Sequence, residues 1–279
     1  MRILFLGDVV GRAARLAVME QVPRLRQRLD LDFVVVNGEN SAGGFGITPK
    51  IAEEFYESGV DCLTTGNHVW DQRELLGSID RDRRMVRPAN FPAGAPGRGA
   101  TLLQARGGRQ VLVVNIMARL FMDALDDPFA TVDRLLADMA MPGVVDAIVV
   151  DFHGEASSEK MAMGHHLDGR VTLVVGTHTH VPTADLHILR GGTAYQTDAG
   201  MCGDYDSVIG MVKEPAIARF IRKMPTERLT PADGQPTICG LVLETDETTG
   251  LARRVEPLRV GGRLAPAWPS GFAPAESAG

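Results

Sequence analysis

Short apolar runs alternate with segments of helical periodicity along the first 80 residues. Short apolar runs, bounded by polar and turn-forming residues, indicate buried strands. Five such runs span Ile3–Leu6, Phe33–Val36, Cys62–Thr64, Ala147–Val150 and Val171–Val175. From Arg12 to Leu29, apolar residues recur at helical spacing, and Thr48-Pro49 can cap and open a second helix that runs through Tyr56. Strands that alternate with helices predict parallel βαβ units and an α/β fold.

The rest of the chain predicts shorter elements. The pattern indicates a hairpin turning at Gly107-Gly108 between Thr101 and Met117, helices over Asp127–Met139 and Lys213–Lys223, short strands around His187–Leu189 and Ala194–Thr197, and a closing hairpin of Ile238–Thr245 with Arg253–Val260. No internal repeat and no clear linker interrupts this pattern of elements. We therefore expect one domain over residues 1–260. A Pro-, Gly- and Ala-rich tail over 261–279 should be loose.

Polar clusters stand at the ends of the five apolar runs. They are Gly7-Asp8, Gly38-Glu39-Asn40, Gly66-Asn67-His68, Asp151-Phe152-His153 and Gly176-Thr177-His178-Thr179-His180. These clusters contain four of the seven histidines in the chain. If the five strands share one sheet, the clusters converge on one rim, and in open α/β sheets that rim is where ligands bind.

Seven of these side chains make a donor set of oxygen and nitrogen without sulfur: Asp8, Glu39, Asn40, Asn67, His153, His178 and His180. Imidazole with carboxylate suits Zn, Fe, Mn or Ni better than Mg or Ca. Seven ligands exceed the needs of one tetrahedral ion and favour two ions that share a bridging carboxylate. Such a pair lowers the pKa of bound water and stabilises the oxygens of phosphoryl transfer. His68, next to Asn67, is then a candidate proton donor to the leaving oxygen.

The order of these motifs resembles the calcineurin-like metallophosphoesterase superfamily. Two positions depart from its pattern, because Val10 stands where the superfamily has a ligand histidine and Glu39 replaces the bridging aspartate. Both departures are similar to the YmdB-type branch, which includes 2′,3′-cyclic-nucleotide 2′-phosphodiesterases. The stretches that match this branch are Gly7–Gly11, Asn37–Gly44, Gly176–His180 and Gly203–Met211. The resemblance runs from Met1 to about Leu258.

The resemblance implies a four-layer α/β/β/α sandwich of mixed sheets, with the site at the carboxyl ends of strands. By the resemblance, one ion is bound by Asp8, Asn40 and His180, and the other is bound by Asn67, His153 and His178. The resemblance also implies that Glu39 bridges the two ions and that His68 is the general acid. The implied ions are Fe or Mn, with Zn as the alternative. The expected reaction is hydrolysis of 2′,3′-cyclic nucleotides to 3′-monophosphates by a hydroxide that bridges the ions. The residues that bind the substrate stay unknown at this point.

Composition and charge limit the cellular compartment and the kinds of partner that we expect for this protein. The net charge of −6 argues against an extended nucleic-acid surface. No stretch approaches the roughly 20 apolar residues of a membrane span, and no signal-peptide layout is present. Cys62, Cys202 and Cys239 lack paired spacing, which indicates a reducing compartment. We expect a cytoplasmic protein that acts on a small phosphoester or cyclic nucleotide, and we also expect a homo-oligomer.

Simpler interpretations apply to several residues. Asp8 could cap the following helix, and Tyr205, Asp206 and Ser207 could form a turn or contact the substrate. We expect His165 and His166 to face solvent, His187 to be a core or edge residue, and Cys62 to pack in the core. The glycines near residue 7 lack the full G-x-G-x-x-G spacing, which argues against a dehydrogenase.

Two other function classes stay open beside the diesterase. One is a phosphomonoesterase or phosphoprotein phosphatase with the same site. The other is a regulatory protein whose site binds a nucleotide or a partner and turns over slowly.

Overall fold

Two stacked β-sheets form the centre of the fold. The computed structural model describes residues 1–139, 141–224 and 227–272. Its strands are β1 (Arg2–Leu6), β2 (Phe33–Asn37), β3 (Cys62–Thr64), β4 (Ala100–Gln104), β5 (Gln110–Met117), β6 (Ala147–His153), β7 (Leu173–Thr177), β8 (His187–Ile188), β9 (Ala194–Gln196), β10 (Thr237–Thr245) and β11 (Ala252–Gly261). Its α-helices are α1 (Gly11–Leu29), α2 (Pro49–Glu57), α3 (Pro128–Leu136), α4 (Ser157–His166) and α5 (Lys213–Arg222).

Both sheets mix parallel and antiparallel pairs. The first sheet has the order β11-β10-β1-β2-β3, in which β1, β2 and β3 run parallel and β10 pairs antiparallel with both β1 and β11. The second has the order β4-β5-β6-β7-β9-β8, with antiparallel strands at its two edges. The predicted closing hairpin and the hairpin that turns at Gly107-Gly108 are confirmed.

The alternation of side chains along the strands explains the layers. In β1, Ile3 and Phe5 face the second sheet, whereas Leu4 and Leu6 pack with residues of α1 and α2. In β5, Val113 faces the first sheet and Val114 packs with residues of α3 and α4. Because successive strand residues point to opposite faces, each sheet buries one face against the other sheet and one against helices. The four-layer α/β/β/α sandwich is therefore confirmed.

The five site strands do not share one sheet. The first sheet contains β1, β2 and β3, whereas β6 and β7 belong to the second. An apolar run predicts that a strand is covered on both faces, but it does not identify the strand's neighbours. The condition that the five strands share one sheet was therefore wrong. The carboxyl ends still meet, because the two sheets stack face to face.

Two helical details differ from the pattern. Helix α4 was not predicted, because its sequence has no regular apolar spacing, although Met163 and Gly164 are buried. Leu16, one of the apolar residues at helical spacing between Arg12 and Leu29, is 51% exposed, while Ala14 and Val18 are buried. Within the described ranges, no helix has both the length and the apolar character to cross a membrane.

The segment after β11 folds back onto the first sheet. Ala267 and Arg259 exchange two backbone hydrogen bonds, and the Arg28 guanidinium lies 4.1 Å from the Trp268 ring. Phe272 is fully buried in the core between this sheet and α1. Residues 262–272 are therefore packed against the fold and do not form the expected loose tail. Residues 273–279 of the expected tail lie outside the described residues, and the domain boundary at residue 260 stays a prediction.

Replacing Phe272 tests whether this segment belongs to the folded unit. We expect Phe272→Ala to lower the free energy of unfolding by about 3–5 kcal/mol, because it empties a packed site. Phe121 is 88% exposed, so Phe121→Ala should change the same quantity by less than about 0.5 kcal/mol. Urea denaturation of the two variants measures the difference. Equal stabilities would show that the segment does not contribute to the core.

Candidate metal centre

The polar clusters meet at a rim where the carboxyl ends of β1, β2, β3, β6 and β7 come together. Asn37, the last residue of β2, donates a hydrogen bond of 3.1 Å from Nδ2 to Asp151 Oδ2 of β6, which joins the two sheets at this edge. Asp8, Glu39 and His153 are at most 1% exposed. The rim is therefore lined by titratable groups that water hardly reaches.

One group of donor atoms gathers around His153. Asn67 Oδ1 lies 2.9 Å and Glu39 Oε1 lies 3.0 Å from His153 Nε2. His178 joins them, since one donor atom each of Glu39, His153 and His178 lie within 4.8 Å of one another. These are the residues that the resemblance assigns to one ion, together with the expected bridge.

A second group gathers around His180. Its Nε2 lies 3.2 Å from Asn40 Nδ2 and 3.8 Å from Asp8 Oδ1. Its Nδ1 lies 2.8 Å from the Ile209 carbonyl oxygen, which can only accept a hydrogen bond, so Nδ1 carries the proton. Nε2 is then the ring nitrogen that faces the group, as metal coordination requires. All seven predicted ligands are thus brought together, in the two groups that the resemblance implies.

Local backbone structure sets the directions of these side chains. Helix α1 begins after Val10 with no side-chain cap, so Asp8 does not cap it. The carboxylate of Asp8 instead accepts a hydrogen bond of 3.2 Å from the His178 amide. His178 and His180 have φ of 99° and 67°. Such left-handed conformations cost about 1–3 kcal/mol each in a non-glycine residue and occur most often at functional sites.

The protein groups at the rim fit a bound cation. Within the described ranges, Asp8 Oδ1 and Glu39 Oε1 are buried oxygens outside the hydrogen-bond network, and Glu39 Oε1 has the His153 ring at 3.0 Å as an ion-pair partner. A buried carboxylate oxygen without a donor is costly unless a cation binds it. At Gly66, a Cβ atom would lie 2.3 Å from His153 Nε2 and 2.5 Å from Glu39 Oε2, so glycine lets the main chain approach the donor atoms. Oxygen and imidazole donors of this kind suit a divalent transition metal.

Burial and mutual charge shift the pKa values of these groups. Burial raises the pKa of Asp8, and the nearby imidazoles offset this only in part. Burial also opposes the charges of Glu39 and His153, but their attraction outweighs it, so the pKa of Glu39 falls and that of His153 rises. Burial and the neighbouring His153 lower the pKa of His178 to about 3. His178 is therefore a neutral imidazole at neutral pH, the form that binds metals.

His68 lies at the outer side of the donor groups. Its amide donates a hydrogen bond of 3.1 Å to Glu39 Oε2, and its side chain is 30% exposed. Its Nδ1 lies 2.8 Å from Asp71 Oδ2, and its ring packs edge-on against Phe45 with centroids 5.1 Å apart. The imidazole is thus held on one side and reaches solvent on the other.

Several supporting residues were not found from the sequence. Thr177 Oγ1 lies 2.8 Å from His153 Nδ1 and donates a hydrogen bond of 2.6 Å to Asp151 Oδ1, which orients the His153 ring. Glu155 Oε2 lies 3.3 Å from His178 Nε2. A carboxylate three residues after His68 could have indicated Asp71. For Asp151 the signal was its position two residues before His153, on the same face of β6, whereas Thr177 faces His153 only through the pairing of β6 with β7.

Val10, one of the two residues that depart from the superfamily pattern, is apolar for a structural reason. Val10 is buried with Met201 and Met211 in a small cluster beside Asp8. A Cβ atom at Gly210 would lie 2.7 Å from Val10 Cγ1, so the loop 203–211 closes directly over this side chain. Position 10 therefore contributes packing to this loop and no donor atom to the rim.

The residues for which the sequence also allowed a purely structural role make mostly structural contacts. The Tyr205 hydroxyl accepts from the Met201 amide and lies 3.1 Å from the His180 carbonyl oxygen, so it supports the turn that carries His180. Asp206 pairs with Lys213, and Ser207 accepts a hydrogen bond from the Gly210 amide. As expected, His165 and His166 are exposed and Cys62 is buried, while His187 is an exposed residue of the edge strand β8.

Comparison with known proteins identifies the family. The model of the YmdB-like protein family matches residues 4–258. The chain belongs to this family. It is 47% identical over 260 residues to the 2′,3′-cyclic-nucleotide 2′-phosphodiesterase of Bacillus subtilis, covering 93% of this chain and 97% of that protein. The resemblance to the YmdB-type branch is confirmed.

Two solved structures share the fold. A hypothetical protein from Thermus thermophilus is 41% identical, with a TM-score of 0.87 that covers 94% of this chain and 100% of the other. A structure described as a novel phosphatase from Mycoplasma pneumoniae is 32% identical, also with a TM-score of 0.87, and covers 94% and 93% of the two chains. The two-sheet architecture is therefore shared across these relatives.

Proposed function

We propose that this protein is a metal-dependent phosphodiesterase that hydrolyses 2′,3′-cyclic nucleotides to 3′-monophosphates. The observation that carries the proposal is the pair of donor groups around His153 and His180, joined through buried carboxylates with uncompensated oxygens. The activity named for the Bacillus subtilis relative supports the choice of substrate. Two donor groups at one rim are what phosphoester hydrolysis with two ions requires.

The proposed centre holds two transition-metal ions per chain. Asp8, Asn40 and His180 would hold one, Asn67, His153 and His178 the other, and Glu39 would bridge them. Fe or Mn, the ions that the resemblance implies, is the proposed metal, with Zn as the alternative. Imidazole, amide and carboxylate donors without thiolate suit any of these ions. When bound, such ions supply a hydroxide nucleophile at neutral pH and neutralise charge on the phosphoryl oxygens.

His68 is the proposed general acid. Its amide contacts Glu39, its side chain reaches solvent, and its Nδ1 lies against Asp71. With Nδ1–H donated to the Asp71 carboxylate, the imidazolium form of His68 carries its second proton on Nε2. It would give that proton to the departing 2′-oxygen of the ribose and be left as the neutral imidazole. Protonation of that alkoxide as the phosphorus–oxygen bond breaks is the contribution expected from a general acid.

The chemistry of the substrate fits a small site. A strained five-membered cyclic phosphate releases energy on ring opening, so little remote binding energy is needed to reach its transition state. The net charge of −6 offers no basic track for a long nucleic acid. Three free, buried cysteines are consistent with the proposed cytoplasmic location. The homo-oligomer stays a prediction.

Substitution of the bridging ligand and of a ligand to one ion should distinguish the two metal sites. We expect Glu39→Gln to weaken both sites, because it removes the shared negative charge, and His180→Ala chiefly to deplete one. His166→Ala, at an exposed histidine paired with Asp133, should leave metal content unchanged. Elemental analysis under metal-replete conditions gives the ions per chain. A wild-type value of one or none would contradict the dinuclear centre.

Substitution of His68 should affect chemistry and not assembly. We expect His68→Ala to keep the fold and metal content while lowering kcat by about 100- to 10,000-fold, the usual contribution of a general acid. The loss should shrink with p-nitrophenyl esters, because their leaving group needs little protonation. Steady-state kinetics on substrates with good and poor leaving groups measures this. An equal loss on both would argue against the assigned role.

A substrate panel decides between the diesterase and the phosphatase. We expect turnover of 2′,3′-cyclic nucleotides to exceed that of 3′,5′-cyclic nucleotides and of phosphomonoesters. Chromatography should show the 3′-monophosphate, in which water has added to phosphorus and the 2′-oxygen has left with a proton. Exclusive 2′-monophosphate would reverse the docking of the ribose. Faster turnover of monoesters would favour a phosphatase, and normal metal content without any turnover would favour the regulatory protein.

A further inference from the structure

A buried ion pair outside the donor set lies beside the turn that carries His178 and His180. Lys160 Nζ, from α4, and Asp198 Oδ2, which follows β9, are 2.8 Å apart, and neither side chain is exposed. Removing two charges from water is costly, and replacing such a pair by apolar residues is often neutral or stabilising. Stability alone is therefore a weak explanation for this pair, and its other contacts indicate what it does.

Asp198 binds the main chain between the two histidines. Its Oδ2 accepts a hydrogen bond of 3.0 Å from the Thr179 amide, and its Oδ1 accepts one of 2.8 Å from the Gly200 amide. The preceding amide, that of His178, donates to Asp8 Oδ2 at 3.2 Å. Two successive amides of this turn are thus each held by a buried carboxylate, one within the donor set and one outside it.

The turn needs such support because of its backbone conformation. His178 and His180 both have positive φ, a region that side-chain-bearing residues leave unless contacts hold them there. Lys160 packs close to the same strand end, where a Cβ atom at Gly176 would lie 2.9 Å from Lys160 Cδ. The ion pair is therefore close-packed against the base of the turn.

We propose that Lys160 and Asp198 are positioning residues for the metal centre. Asp198 holds the Thr179 amide so that the His178 and His180 imidazoles keep their directions, and Lys160 holds Asp198 in place by charge. The inference rests on the proposed ligand roles of the two histidines and not on the substrate. Because each histidine serves a different ion in that proposal, loosening the turn should weaken both sites together.

Titration of Mn²⁺ into full-length protein freed of metal with a chelator tests this inference by calorimetry, without any activity measurement. Asp198→Asn leaves Lys160 buried without a counter-charge, so we expect it to unfold at a lower temperature. The double variant Lys160→Met with Asp198→Asn removes both charges and should regain most of that loss. We expect its Mn²⁺ affinity to remain about 10–100-fold below that of the wild type at both sites, as for other residues that orient metal ligands.

Asp61 provides a matched control. Its carboxylate also pairs with a basic side chain, Arg26, and accepts from an amide, that of Val34 at 2.7 Å, but at the opposite ends of the strands. Asp61→Asn should lower stability and leave Mn²⁺ affinity unchanged. A folded double variant with wild-type affinity would overturn the positioning role alone. A wild-type protein that binds no Mn²⁺ would overturn the metal centre and, with it, this inference.

Discussion

The stacking of two sheets across one apolar layer is the constraint on which the site depends. Residues that face this layer recur at every second position, so the inward face of β2 continues from Val35 to Asn37 and that of β6 from Val149 to Asp151 and His153. At the carboxyl ends the inward residues change from apolar to polar. Hydrogen bonds from Asn37 Nδ2 to Asp151 and Thr177 then join the two sheets where the apolar contacts end.

This junction explains why the rim is both dry and charged. Asp8 and Glu39 are enclosed by the ends of two sheets, so their carboxylates lose water without gaining full hydrogen bonding. Imidazoles compensate part of that loss, as the opposed pKa shifts of Glu39 and His153 indicate. Bound divalent cations would compensate the rest, because they are often the largest local charges in a site. The rigid surroundings of the site, the buried carboxylate oxygens at the rim and the fixed directions of the imidazoles all follow from this packing of the two sheets.

Local patterns in the sequence were enough to predict much of this arrangement. The apolar runs predicted the site strands to within a few residues, since a buried strand requires them. The ordered polar residues predicted which side chains converge. The division of strands between sheets was not predictable, because an apolar run does not record its partner. Asp71 was missed although its spacing from His68 is visible in the sequence. Thr177 was missed because its contact with His153 depends on the pairing of β6 with β7, which a single sequence does not record, and α4 was missed because it lacks a regular apolar spacing.

The position of β1 in the first sheet has a consequence for synthesis of the chain. This N-terminal strand lies between β2 and β10, and Arg2 pairs with Glu244. The Asn37 carbonyl oxygen accepts from the Val9 amide, but the Asp8 carbonyl oxygen accepts from the Cys202 amide, so part of what fixes the main chain at Asp8 is made much later. Contacts between distant parts of a chain form late and slowly. A nascent chain that still lacks β10 therefore leaves β1 with an open edge, and the contacts that hold Asp8 at the centre are completed only after Cys202 and β10 have been made.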